Sequence, residues 1–236
     1  MSQSCGTFYG VGIGPGDPEL LSLKALRVIR SAAHIFVPKA EAKADSFALD
    51  IVSPYVDRAK VREMVFPMIR DPQRLKEFWT AAADEMTACL RRGEDVAFLT
   101  IGDPLTFSTY NYVLEIIRRE LPEKNIVTVP GITSYNAVAA RASFSLAEGN
   151  ERIAILPVPE GDLGPLREAL KAFDTVVLMK VAKKLDAVVD LLEEMGLTGR
   201  AVFGSYVGTP QEFVTREVAS LKGTGRGYMS VIIVRK

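Results

Sequence analysis

Histidine and cysteine are scarce in this sequence, which contains one histidine, His34, and two cysteines, Cys5 and Cys89. The cysteines are far apart and lack the C-x-x-C spacing of zinc sites. A single histidine supplies neither a multi-histidine metal centre nor a Ser-His-Asp triad that has a visible partner. We therefore expect no bound metal, a reduced environment for the thiols, and a core or strand-end position for His34.

An excess of positive charge and long apolar runs are missing as well. Lysine plus arginine and aspartate plus glutamate each number 29, so the chain has no net field to attract a nucleic acid. The longest apolar runs, such as residues 96–99 and 231–234, have the length of strands and not of membrane spans. The first ten residues do not resemble a secretory signal. These absences favour a cytoplasmic protein that binds neither nucleic acid nor membrane.

Strand-like and helical patterns alternate along almost the whole chain, which is typical of α/β folds. The clearest helix is predicted over residues 71–92, where Asp71 can cap, Pro72 can occupy the first position and Gly93 can end the helix. Another helix is predicted over residues 18–31. The sequence thus indicates several layers of helices packed on sheets.

A polar break at residues 121–125 is the candidate domain boundary. We expect an N-terminal α/β domain over residues 1–123 and a C-terminal α/β domain over residues 124–236. The last two predicted strands, residues 212–218 and 228–234, have no helical pattern between them. They are predicted to pair with each other in antiparallel fashion, so that the second domain ends in antiparallel strands.

Four glycines in seven residues, Gly10, Gly12, Gly14 and Gly16, follow the first predicted strand. Dinucleotide sites need G-x-G-x-x-G, but this spacing places a proline or an aspartate where the last glycine belongs. A nicotinamide or flavin dinucleotide is therefore not expected. Turns with positive φ explain some of these glycines. The close approach of a ligand to the backbone is the favoured reason for the others.

The longer segment GVGIGPGDPELLSLKAL, residues 10–26, resembles the opening signature of the tetrapyrrole methylase family. The family also has a Gly-Asp-Pro turn, matched at residues 102–104, and a Val-Pro-Gly-Ile turn, matched at residues 129–132. Two further matches lie at residues 177–180 and 228–231. The resemblance therefore extends over essentially the whole chain.

Three other stretches resemble the branch of this family that methylates carbon 20 of precorrin-2 or of its cobalt-bearing counterpart, cobalt-factor II. They are residues 66–68, 107–110 and 146–151. The resemblance implies two α/β domains with a ligand cleft between them, S-adenosylmethionine as cofactor, and usually a homodimer. It implies S-adenosylmethionine-dependent methylation of that tetrapyrrole in cobalamin biosynthesis.

The resemblance also assigns residues to the cofactor, chiefly in turns that follow strands. These are Gly102, Asp103, Thr106, Thr133, Ser134, Met179, Tyr206, Val207 and Ser230. For two of them a purely structural role is also open: Asp103 can form a turn before its proline, and Met179 can pack in a core.

The substrate would carry eight carboxylates, which arginine and lysine pair with readily. Basic candidates near predicted element ends are Lys39, Arg70, Arg141 and Lys180, and each could instead be a solvated surface charge. The glycine-rich segment adds Gly14, Gly16 and Asp17 as substrate-binding candidates.

No residue of the sequence can be named as a general base. Methyl transfer to an enamine-like ring carbon depends mainly on positioning and does not require a strong base. Whether the ring carries cobalt stays open at this point. Alternatives are methylation of a different tetrapyrrole position, of RNA or of protein by the same fold, and a ligand-binding module without catalysis.

Overall fold

A computed structural model describes residues 5–40, 46–69 and 71–236. The chain forms two compact units, Met1–Thr133 and Ser134–Lys236. Each unit contains one five-stranded sheet with helices. The predicted α/β class is thereby confirmed.

The first unit is built on a sheet in which every strand pairing is parallel. Its strands are β1 (Phe8–Gly12), β2 (His34–Lys39), β3 (Val61–Val65), β4 (Val96–Thr100) and β5 (Ile126–Val129), in the order β3-β2-β4-β1-β5. Its helices are α1 (Leu23–Ser31), α2 (Phe47–Val52), α3 (Pro72–Arg91) and α4 (Tyr110–Glu120). Because the strands are parallel, the turns that follow β1, β4 and β5 meet at one edge of the sheet.

The boundary between the units lies ten residues after the predicted one, between Thr133 and Ser134. Strand β5 pairs with β1, from Phe8 opposite Ile126 to Val11 opposite Val129, and so belongs to the first sheet. The polar break forms a short 3-10 helix, Glu123–Asn125, inside the first unit. The polar break indicates where β5 begins. It cannot indicate that β5 pairs with β1, because the two strands are more than 100 residues apart in the sequence.

Helix α3 follows the predicted pattern, since the Asp71 carboxylate accepts hydrogen bonds from the backbone N–H groups of Gln73 and Arg74 and Pro72 is the first helical residue. The predicted helix over residues 18–31 is instead divided. A 3-10 helix, Pro18–Leu20, comes first, and α1 then begins after its own N-cap, Ser22, whose hydroxyl accepts the N–H of Ala25. Because Ser22 caps a new helix start, the predicted helix is divided into a 3-10 helix and α1.

The second unit contains a mixed sheet. Its strands are β6 (Ile153–Pro157), β7 (Thr175–Met179), β8 (Ala201–Ser205), β9 (Phe213–Thr215) and β10 (Ser230–Arg235), in the order β6-β7-β10-β8-β9. Its helices are α5 (Ser134–Arg141), α6 (Gly164–Ala172) and α7 (Leu185–Glu194). Strand β10 is antiparallel to both of its neighbours, β7 and β8.

The predicted pairing of the last two strands is wrong, although both are antiparallel members of this sheet. Strand β8 lies between β9 and β10 and pairs with each of them. Strand β10 is buried on both faces along Ser230–Val234. A strand without alternating polarity favours a central position in its sheet, and β10 occupies the centre between β7 and β8.

Apolar side chains cover both faces of each sheet, so each unit has a core of its own. These cores fix the strand ends from which the candidate site residues extend. Within the described ranges, none of the helices has the combination of length and apolar character that crossing a bilayer requires.

Candidate functional site

Three glycines form a close backbone contact at the carboxyl edge of the first sheet. Gly12, Gly102 and Gly131 follow or end β1, β4 and β5, and we name them the glycine junction. A Cβ atom on Gly12 would lie 2.6 Å from the Gly131 nitrogen, and one on Gly131 would lie 2.1 Å from the Gly102 oxygen. Since atoms cannot approach so closely, Gly12 and Gly131 cannot carry a side chain while these turns meet.

Contacts within the protein account for two glycines of the glycine-rich segment, Gly10 and Gly12. A Cβ atom on Gly10 would lie 2.1 Å from ring atoms of Tyr110, and Gly12 belongs to the glycine junction. Gly14 has a positive φ of 78°, and its carbonyl accepts the Gly102 N–H at 2.7 Å. Gly16 is buried in the same segment. A role for Gly14 and Gly16 in substrate binding stays a prediction.

The Asp103 carboxylate links the turn after β4 to the turn after β5. One of its oxygens accepts the N–H of Leu105 at 2.9 Å and the hydroxyl of Thr106 at 3.4 Å. The other accepts the N–H of Gly131 at 3.2 Å. Asp103 therefore has the turn-forming role that its position before Pro104 predicts. It is only partly buried, and each of its oxygens has further lone-pair capacity for a ligand.

Gly102 differs from the other members of the glycine junction because an added Cβ atom would make no contact shorter than an ordinary van der Waals distance. Its φ is 71°, and the nearest atom to an added Cβ would be the Ile132 oxygen at 3.9 Å. The positive φ, and not a close contact, is therefore what favours glycine at this buried position. Thr133, which follows the turn after β5, is buried, whereas Thr106 and Ser134 are partly buried.

Three residues other than glycine have left-handed backbone conformations at one edge of the second sheet. They are Lys180, Tyr206 and Met229, with φ values of 59°, 49° and 48°. The Tyr206 N–H donates to the Met229 carbonyl at 3.1 Å. Such conformations cost about 1–3 kcal/mol each and concentrate at functional sites. Met229 could not be predicted as a site residue from its sequence, because a left-handed conformation of a residue other than glycine has no local sequence signal.

The strand register brings the predicted cofactor residues of the second unit to this same edge. Met179 lies opposite Val231, and Ser230 lies opposite Ser205, directly before Tyr206 and Val207. Val207 and Ser230 are buried, while Met179 and Tyr206 are partly buried. The Ser230 hydroxyl donates to the Gly227 carbonyl at 2.5 Å, so it has its oxygen lone pairs left to offer a ligand.

Two predicted substrate-binding cations have carboxylate partners within the protein. The Lys39 ammonium lies 2.7 Å from Glu63, and the Arg141 guanidinium lies 3.1 Å from Glu212. A substrate carboxylate would have to compete with these partners. The sequence could not show them, because each partner is distant along the chain.

The remaining substrate candidates have different surroundings. Lys180 is exposed and directly follows β7. Asp17 caps the 3-10 helix that begins at Pro18, with its carboxylate accepting the Glu19 N–H at 2.9 Å. Arg70 lies outside the described residues.

His34 has a partner that the sequence analysis did not identify. Its Nε2 atom lies 3.0 Å from the Glu94 carboxylate, at the amino end of β2 and so at the edge opposite the glycine junction. Donor atoms of His34, Cys89 and Glu94 lie within 4.8 Å of one another. The Arg92 guanidinium donates to both Cys89 and Glu94, and this positive charge opposes a metal cation. Hydrogen bonds from Arg92 and then from His34 hold the pKa of Glu94 below its usual value.

The lowered pKa of Glu94 predicts a stabilising effect that depends on pH. A carboxyl group whose pKa is depressed by folding stabilises the protein above its ordinary pKa of 4.5, and this contribution disappears as the pH falls through the folded value. We expect Glu94→Gln to lower the melting temperature at pH 6, and this deficit to shrink as the pH falls from 4.5 through the lower folded pKa of Glu94. Thermal unfolding across this range, with the exposed Glu115→Gln as control, measures the difference. A Glu94→Gln deficit that is independent of pH would contradict the prediction.

Known proteins resemble this chain over most of its length. The sequence pattern of the Tetrapyrrole (Corrin/Porphyrin) Methylases matches residues 7–221. A probable cobalt-precorrin-2 C(20)-methyltransferase of Methanocaldococcus jannaschii is 38% identical over 208 residues, which cover 86% of each chain. A cobalt-precorrin-2 C(20)-methyltransferase of Salmonella typhimurium is 33% identical over 235 residues, 98% of this chain and 97% of that protein.

The fold is also similar to a solved structure. A uroporphyrin-III C-methyl transferase from Thermus thermophilus, complexed with S-adenyl homocysteine, superposes with a TM-score of 0.64 at 21% identity. The match covers 98% of both chains. At this identity the likeness demonstrates a shared fold.

Proposed function

Because the chain belongs to the tetrapyrrole (corrin/porphyrin) methylase family, we propose that its substrate is precorrin-2 in the cobalt-bearing form. The chain is an S-adenosylmethionine-dependent C-methyltransferase of cobalamin biosynthesis that acts on carbon 20. The observation that supports cobalt is the identity of 38% and 33% to two relatives named for cobalt-precorrin-2.

Each of the two sheet edges, taken by itself, offers groups that suit S-adenosylmethionine, which supplies an electrophilic methyl group when it is bound. The molecule carries a sulfonium, an ammonium group and ribose hydroxyls, all of which suit carboxylate, carbonyl and hydroxyl acceptors. In the first unit, the remaining lone pairs of the Asp103 carboxylate offer such acceptors. In the second unit, the Ser230 oxygen and the backbone beside Tyr206 do the same.

We assign cofactor binding to the residues that the family resemblance indicated. They are Gly102, Asp103, Thr106, Thr133, Ser134, Met179, Tyr206, Val207 and Ser230. The first four follow strands of the first sheet, and the last four lie at the edge of the second sheet that carries the left-handed residues.

The work of the protein in this reaction is positioning. The methyl acceptor is an electron-rich ring carbon, and correct placement alone can lower a barrier by about 7–11 kcal/mol. The glycine junction and the three hydrogen bonds to Asp103 hold the turns after β1, β4 and β5 in one arrangement. The one histidine, His34, lies at the other edge of the sheet, so it is not the base of this reaction.

We further propose that cations bind the carboxylates of the ring. Lys180 is exposed beside the cofactor residue Met179, while Lys39 and Arg141 would exchange Glu63 and Glu212 for the substrate. Such an exchange replaces one charged hydrogen bond by another, so its net free energy is small. We favour Lys180 among these candidates because it directly follows the cofactor candidate Met179 at the end of β7.

Turnover with different acceptors tests the proposal. We expect the purified protein to transfer one methyl group from labelled S-adenosylmethionine to the cobalt-bearing ring, with kcat/KM at least tenfold above that for metal-free precorrin-2. Mass spectrometry identifies each product. Faster turnover of the metal-free ring would refute the cobalt assignment. Transfer only to RNA or protein would refute methylation of the ring altogether.

We also propose that the enzyme is a homodimer in the cytoplasm, as the family resemblance implies. The two cysteines, Cys5 and Cys89, form no disulfide, which suits a reducing compartment. Many soluble enzymes form two-fold symmetric dimers. Sedimentation equilibrium distinguishes a dimer from a monomer directly.

A further inference from the structure

A cationic pocket of about 490 Å³ lies in the second unit. Its lining includes Arg200, Arg216, Arg235 and Lys236, together with the hydroxyl residues Ser143 and Ser145. This volume falls in the usual range of sites for small ligands.

The pocket is separate from the cofactor residues of the same unit. Arg235 ends β10, whereas the cofactor candidate Ser230 begins it. Five residue steps along a strand span roughly 17 Å. Arg200 directly precedes β8 and Arg216 directly follows β9, so both belong to the Arg235 edge of the sheet. The function proposed above therefore does not account for this pocket.

The positive charges of the pocket are only partly neutralised within the protein. Arg235 is held by Glu151 at 2.8 Å and by Glu148 at 3.2 Å. In contrast, neither Arg200 nor Arg216 forms an ion pair with any carboxylate in the described parts of the chain. Asp174 interacts electrostatically with Lys236, so the guanidinium groups of Arg200 and Arg216 are the charges of the lining that no carboxylate in the described ranges pairs with.

Arg216 is held in position by neutral groups. Its guanidinium donates to the Ala142 carbonyl at 2.9 Å and lies 5.6 Å from the centre of the Phe144 ring. Because a guanidinium has five N–H donors, most of them stay available. A guanidinium group that is already held in one position loses little further conformational entropy when it binds an anion. Arg216 thus has the properties of an anion-binding residue.

We propose that this pocket binds a small organic or inorganic polyanion through the guanidinium groups of Arg200 and Arg216. Guanidinium forks match both carboxylate and phosphate oxygens, and the hydroxyls of Ser143 and Ser145 can donate further hydrogen bonds. The aromatic ring in the lining, Phe144, is already covered by Arg216. The pocket therefore recognises anionic groups and provides no open ring on which a nucleotide base could stack.

Calorimetry at low ionic strength tests this site, with tripolyphosphate and citrate as the two probes. We expect one saturable site per chain, binding unchanged by S-adenosylhomocysteine, and a preference between the probes that distinguishes phosphate from carboxylate recognition. Arg200→Ala should weaken binding at least tenfold, and Arg216→Ala by a similar factor. The control Arg167→Ala, which removes another arginine of the same unit that is paired with Glu194, should change binding less than twofold.

Arg200→Ala is the decisive variant. Arg216→Ala also removes the hydrogen bonds from Arg216 to the Ala142 and Ser143 carbonyls after α5, so it can disturb the structure of that loop. Three results with the probes, S-adenosylhomocysteine and Arg200→Ala would overturn the proposal, in addition to one with the control variant. They are no saturable binding of either probe to the unaltered protein, unchanged binding by Arg200→Ala, and competition by S-adenosylhomocysteine. Equal weakening by Arg167→Ala would likewise show that general surface charge, and not this pocket, attracts the anion.

Discussion

Replacing Asp103 by alanine is expected to raise the dissociation constant for S-adenosylmethionine at least tenfold, which corresponds to about 1.4 kcal/mol. The substitution removes a carboxylate that can accept hydrogen bonds from the cofactor. It also releases the N–H of Gly131 and the turn that begins at Gly102, both of which the carboxylate holds. Positioning should therefore suffer together with affinity, and kcat should fall as well. Calorimetry and steady-state kinetics measure the two effects.

Two control variants separate binding from turn formation at this position. Asp103→Asn keeps an oxygen for the N–H of Leu105 but presents an amide NH₂ to the N–H of Gly131. It should retain the turn and lose most of the affinity. Asp57→Ala removes a comparable cap, whose carboxylate accepts the N–H of Ala59 at 3.0 Å, and should leave binding unchanged.

Stability decides how the Asp103 result is interpreted. Loss of these hydrogen bonds from a partly exposed group should cost about 1–2 kcal/mol of unfolding free energy, so the variant remains folded. If Asp103→Ala melts near the unaltered protein and also binds and turns over normally, Asp103 is a turn residue alone.

A larger loss of stability is expected for Gly131→Ala. The new Cβ atom would lie 2.1 Å from the Gly102 oxygen and 2.8 Å from the Gly12 carbonyl carbon, both of which are backbone atoms. No side-chain rotation can relieve these contacts, so the turns of the glycine junction must separate. We expect the unfolding free energy to fall by about 3 kcal/mol or more. Urea unfolding, monitored by circular dichroism, measures this change.

Gly161→Ala is the matched control, because no atom lies within 4 Å of the Cβ it would add. Its effect should stay within about 0.5 kcal/mol. A Gly131→Ala protein as stable as this control would show that the glycine junction tolerates a side chain, and the proposed rigid arrangement of these turns would be wrong.

The sequence by itself determined features that depend on neighbouring residues. The cap at Asp71 and the proline after it define the start of α3, because side chain and backbone interact within three residues. The Gly-Asp-Pro pattern similarly contains its own turn, in which Asp103 accepts the N–H of Leu105. The long motif at residues 10–26 was specific enough to identify the family, which the match over residues 7–221 confirms.

The positions of the strands within the two sheets were decided by tertiary structure. Strand β5 completes the first sheet and β10 enters the middle of the second, and both placements depend on pairing with distant strands. A local break or a missing helix contains no information about such partners. The unit boundary and the pairing of the last strands therefore differ from those predicted.

The same physical distinction applies to the site. Sequence and family resemblance indicated which residue types belong to the cofactor turns, but the contact of Gly12 with Gly131 and the pairing of Lys39 with Glu63 exist only after the chain has folded. The left-handed conformation of Met229 is likewise imposed by its surroundings, since its local preference opposes it. Local interactions can be derived from the residues that make them, whereas contacts between distant segments require the tertiary structure that brings them together.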